Sequence, residues 1–155
     1  MKNLALFTLF ILMTSCNSTK TALEKSNSKT EDTSVEKTQI LQNSYAFLVT
    51  AKATDKDYGY SPDKPAMVGG VNSNEGPTNE RRFLNALAGP NGEELEYYRA
   101  GSCCPMKSKN GFKGVALLDK YRVYYKGSKD TLDLYINMYD SRQLYIPSGL
   151  TARKF

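Results

Sequence analysis

Two runs in the second half of the chain alternate apolar and polar residues with a period of two. From Leu118 to Lys126, Tyr121, Val123 and Tyr125 stand against Arg122, Tyr124 and Lys126. From Thr131 to Tyr139, Leu132, Leu134, Ile136 and Met138 stand against Asp133, Tyr135, Asn137 and Tyr139. Such alternation belongs to strands with one buried face. The intervening Gly127-Ser128-Lys129-Asp130 predicts that the two runs form a β-hairpin. A weaker alternation, Leu95 and Tyr97 against Glu94, Glu96 and Tyr98, predicts a strand over 94–99. Tyr45 to Lys52 is apolar and partly β-branched, so a strand is expected there too, and a short one over Gln143–Ile146 ends at Pro147.

A helical period occurs in one place. Phe83, Leu84 and Leu87 line one side, Thr78 or Asn79 can cap the start, Glu80 suits the first turn, and Gly89-Pro90 stops the run. Between the first strand and this helix, Asp55 to Pro77 is a long irregular stretch rich in Gly, Pro and Tyr. One helix among four or five strands predicts an α+β fold: an antiparallel sheet of four to five strands with one main helix packed on one face.

The first forty-three residues follow a different pattern. Lys2 precedes an apolar run, Leu4–Met13, broken only by Thr8. Ten residues are half of the ~20 that span a bilayer as a helix, so the run reads as the core of a secretory signal peptide over 1–15. It ends in Met13-Thr14-Ser15-Cys16, which resembles a bacterial lipobox. That resemblance implies cleavage before Cys16, acylation of its thiol (palmitate and related chains) and anchoring in a membrane. Two or more acyl chains hold a protein there stably where one does not. Asn17, rather than Asp, implies the outer membrane of the cell envelope, on its periplasmic or surface face. Residues 16–43 then form a lipidated Cys plus a flexible tether, dense in Ser, Thr, Lys and Glu without an aromatic residue. A single globular domain is expected over 44–155.

Composition narrows the chemistry. The chain has eleven Tyr but no His and no Trp, which removes His-activated nucleophiles and His-containing zinc sites. No cofactor and no metal are expected. The domain from Ser44 carries sixteen Lys and Arg against twelve acids, with basic residues spread rather than striped, so no nucleic-acid partner is expected. The partners that fit are the membrane, through the lipid anchor, and an envelope protein or glycan. Arg81 and Arg82 beside Glu80 suggest an anion contact at the helix start. Tyr124, Tyr135 and Tyr139 with Asn137 suggest either an amphipathic contact patch or a covered face.

Cys103 and Cys104 are adjacent, in an exported chain where disulfides persist. A trans peptide sets neighbouring Cα atoms about 3.8 Å apart, below the usual disulfide range of about 4.4–6.8 Å. A vicinal disulfide there would be strained and readily reduced; two packed thiols or an intermolecular bridge are the alternatives.

Val68-Gly69-Gly70, Asn79 to Leu87, Gly89 to Glu93, Gly101-Ser102-Cys103-Cys104-Pro105 and Leu134 to Asp140 together resemble a group of small Gram-negative lipoproteins, over most of 45–150. The group has no settled function, so it implies envelope location without naming active-site residues. Some of its members bear the label 2-dehydro-3-deoxyphosphooctonate aldolase, which implies lyase activity. That aldolase is a TIM barrel of ~250 residues with eight βα units. The sequence therefore favours a non-catalytic binding or envelope-interaction module. The alternative is an enzyme, either thiol-redox at the Cys-Cys-Pro turn or an aldolase.

Overall fold

A computed structural model describes residues 36–155. The leader over 1–15, Cys16 and the first part of the tether lie outside the described residues. The architecture is mixed α+β, mostly strand with one α-helix. In chain order the elements are β1 (Leu41–Asn43), β2 (Ala46–Phe47), β3 (Ala66–Met67), a 3-10 turn (Val71–Ser73), α1 (Gly76–Asn85), β4 (Leu87–Ala88), β5 (Leu95–Phe112), β6 (Val115–Tyr125), β7 (Leu132–Asn137) and β8 (Thr151–Ala152). The main sheet has four strands in the order β3-β7-β6-β5, and β1-β2 and β4-β8 are separate antiparallel pairs.

The period-two runs form the hairpin β6–β7, with Tyr121 opposite Leu134 and Val123 opposite Leu132. The sheet is not wholly antiparallel, because β3 runs parallel to β7 through Ala66↔Ile136 and Met67↔Asn137. The apolar stretch from Tyr45 joins the main sheet nowhere: Ala46–Phe47 pairs with β1, and Lys52 bridges to Ile146. Gln143–Ile146 forms no strand, although Leu144 and Ile146 are buried in the core. The largest departure is β5. Its expected six residues become eighteen, running through Gly101-Ser102-Cys103-Cys104-Pro105 to Phe112.

The helix begins at Gly76, earlier than a cap at Thr78 or Asn79 implies, with Pro77 in its first turn where a missing N–H costs nothing. It stops at Asn85 because Leu87–Ala88 is taken by the ladder with Thr151–Ala152. Phe83 and Leu84 pack with Tyr121, Val123, Leu134 and Ile136, so α1 covers one face of the sheet. Burying each of these apolar side chains contributes about 1.5–3 kcal/mol. Around Asp133 the opposite face is polar, since Asp133 pairs with Lys120 at 2.6 Å and with Arg122 at 3.1 Å, while Ala116 and Leu118 further along the same face of β6 are buried.

The domain edge expected at Ser44 falls inside the β1–β2 pair. Upstream of it the chain forms a strap, in which the Lys37 N–H donates to Ser141 O and the Gln39 amide donates to Ser141 Oγ and Arg142 O.

Candidate functional site

The Cys103–Cys104 pair is a vicinal disulfide with Cα atoms 3.7 Å apart. Its cause is local. Cys103 pairs with Leu118 and Pro105 with Leu117, so Cys104 is an extra residue facing no partner, a β-bulge. Neighbouring side chains of a regular strand point to opposite faces. Cys104 instead adopts a left-handed backbone, φ 54°, and the two sulfurs meet. The bulge sits on β5, an edge strand of the sheet, and both cysteines are half-buried.

Beside it lies a polar cluster that the sequence did not announce. Asp119 on β6 is buried and accepts from Arg99 at 2.5 Å and 2.7 Å and from Ser102 Oγ at 2.8 Å. Glu80 reaches the same place from α1 and is 0% exposed. Its Oε2 accepts from the Tyr121 hydroxyl at 2.9 Å, while Oε1 has no donor among the described residues. Burial first, and then the negative charge of neighbouring Asp119, push the Glu80 carboxyl up to about 7, against the pull of Tyr121 and Arg99. Burial, and next the charge of Glu80, hold the Tyr121 hydroxyl well above its ordinary range. The cluster ties α1 to the β5–β6 ladder. The Glu80 carboxyl at its centre is fully enclosed by the fold.

Asp119 was legible in principle. It shares the parity of Tyr121 and Val123, so the alternation places it on the covered face.

The expected anion contact is not assembled. With α1 starting at Gly76, Arg81 and Arg82 lie in its second half, away from the free N–H groups. Arg82 is engaged by Glu75 at 3.1 Å, Asn79 at 2.8 Å and Ser44 O at 3.3 Å, and Arg81 reaches Thr78 at 3.3 Å. The tyrosine patch is divided. Tyr124 and Tyr135 stay half-buried on the polar face, where Lys120 lies 5.8 Å from the Tyr135 ring. Asn137 is fully buried, donating to Asp140 at 3.1 Å and accepting from the backbone N–H groups of Tyr139 and Asp140, so it offers nothing to a ligand. Tyr139 is half-buried beside it.

A cleft of about 360 Å³ opens at the start of α1, between the strap and Gly70, Glu75, Asn79 and Arg82. Asn79 donates to Gly69 O at 3.1 Å and accepts from Arg82, so these lining groups are already paired with one another. No group of His, Cys, Asp and Glu among the described residues is arranged to hold a metal. No protein family, curated protein or solved structure matches this chain.

Proposed function

We propose that the chain is an outer-membrane lipoprotein of the cell envelope, acylated at Cys16, whose folded domain is a non-catalytic interaction module. The observation that carries this reading is the ten-residue apolar run ending in Met13-Thr14-Ser15-Cys16. The domain itself supports it in a second way: its clustered polar groups are bonded to one another, as in Arg99–Asp119–Ser102 and Glu75–Arg82–Asn79. The resemblance to small Gram-negative lipoproteins points the same way.

The test is metabolic labelling with palmitate followed by membrane fractionation. The native chain is expected to take up label, lose residues 1–15 and sediment with envelope membranes, whereas Cys16→Ala loses the label. A native chain found unlabelled in the cytosol with Met1 in place would sink the proposal.

A second reading, thiol-redox chemistry, is favoured by one observation, the half-exposed disulfide on an edge strand. It requires exchange with an added dithiol that Cys103→Ser abolishes. The aldolase reading finds no support in a domain of one α-helix and a four-stranded sheet, since the (β/α)8 barrel needs eight of each.

A further inference from the structure

We propose that the far end of the β5–β6 hairpin is a second membrane contact, a finger that enters the headgroup layer of an anionic bilayer. The inference rests on the lipid-anchor reading and adds to it the part of the domain that faces the lipid.

Cross-strand partners share a face. Pro105 opposes Leu117, Lys107 opposes Val115, and Phe112 also opposes Val115, so these five side chains form one surface. Further along β6 the same parity carries Asp119, Tyr121 and Val123, which are buried. The helix thus covers one half of this face and leaves the finger bare. Phe112 is 79% exposed, Leu117 47% and Val115 42%. Contiguous apolar surface of this kind marks an interaction site.

Charge identifies the occupant as lipid. From Ala100 to Leu118 there are three lysines, Lys107, Lys109 and Lys113, and no Asp or Glu. Lys113 sits 5.5 Å from the Phe112 ring, which places a cation beside the most exposed apolar group. Apolar side chains flanked by lysines, whose stems can lie along the apolar surface while the ammonium groups meet phosphates, are the composition of interfacial anchors.

Geometry brings the membrane to this end of the molecule. Glu36 lies 3.4 Å from Lys109, so the chain arriving from Cys16 joins the domain beside the finger. Nineteen residues separate Cys16 from Glu36. Fully extended, they hold the domain within roughly 70 Å of its acyl group.

The absence of Trp from the chain makes a clean test possible. Phe112→Trp and, as a second reporter, Leu117→Trp are made in the full-length protein, processed in cells and reconstituted into vesicles of phosphatidylethanolamine with phosphatidylglycerol. Tyr98→Trp, on the opposite sheet face, is the control. Both finger reporters are expected to emit at shorter wavelength than the control and to be quenched by lipids brominated in their acyl chains. The quenching should fall several-fold in purely zwitterionic phosphatidylcholine vesicles, or when Lys107, Lys109 and Lys113 are all changed to Gln. If the reporters match the control while mass spectrometry finds the acyl group on Cys16, the finger proposal is overturned and the anchor reading stands. A blue shift that grows with protein concentration and ignores brominated lipid would assign the patch to a second copy of the chain and equally overturn it. Missing acylation overturns the anchor reading instead; the finger proposal is then decided by quenching of the unacylated protein on anionic vesicles, which supports it if present and refutes it if absent.

Discussion

Glu80 carries an electrostatic penalty whenever it is ionised in the folded state. A carboxyl raised from its ordinary 4.5 to about 7 is bound to its proton more tightly in the folded state than in the unfolded chain. Between those two values the native state holds more protons, so this residue makes stability fall as pH climbs from about 4.5 to about 7, and the loss is complete above that. The full penalty is about 2–4 kcal/mol. Glu80→Gln retains an acceptor for Tyr121, gains a permanent donor within reach of Asp119 and carries no charge. We expect denaturant unfolding to show the variant about equal to the native protein at pH 4.5 and more stable by about 2 kcal/mol at pH 8. Equal stability at both pH values would contradict the charge assignment. This residue was half legible in the sequence. Glu80 stands three, four and seven positions before Phe83, Leu84 and Leu87, which is the spacing of one helix face. An acid near a helix start also suits the dipole, and that local reading hid the buried one.

At the scale of elements, β6 and β7 were legible because their alternation is unbroken, and β5 beyond Arg99 was not. Gly101 and Pro105 punctuate the run as a loop would. Three register shifts, after Arg99, Cys103 and Lys107, instead absorb the misfit and let the strand continue. Bulges cost a strand its pattern without costing it its pairing. The disulfide at the second shift closes the smallest loop two cysteines can make, and the stabilisation a crosslink gives through the unfolded chain grows with loop size. Reducing it, or replacing both cysteines with Ser, should therefore change global stability by less than ~1 kcal/mol, while amide exchange quickens around 101–106. A collapse of the thermal transition on reduction would show that the bulge supports far more than itself. The third shift depends on Gly111, where an added Cβ would sit 2.2 Å from Val115 O and 2.6 Å from Ala116 N. Backbone atoms cannot give way as a side-chain end can. Gly111→Ala should cost about 1–3 kcal/mol, with hydrogen exchange accelerated over 107–115 and unchanged in β7.

For the whole molecule, the class of fold followed from one helical stretch among several period-two stretches, and the helix does lie on the sheet face that the apolar positions define. The parallel β3 and the ladders β1–β2 and β4–β8 had no signature, because strands of two or three residues are too short to display a period. Their pairing is decided by the tertiary arrangement around them. The N-terminal limit of the domain was hidden for a related reason. Lys37 and Gln39 are polar residues in a polar segment, and only their bonds to Ser141 and Arg142 mark them as part of the domain.

That strap has a mechanical consequence. Tension arriving along the chain from its N-terminal side meets the Glu36–Lys109 ion pair first, then the Lys37–Ser141 bond, then the Gln39 contacts, then the short β1–β2 ladder. Contacts loaded in series give way singly, each at its own modest strength. Under load we therefore expect the strap to release residue by residue while the four-stranded sheet and the helix stay intact, which single-molecule pulling from the N-terminal side would show as small early extensions before the main unfolding event.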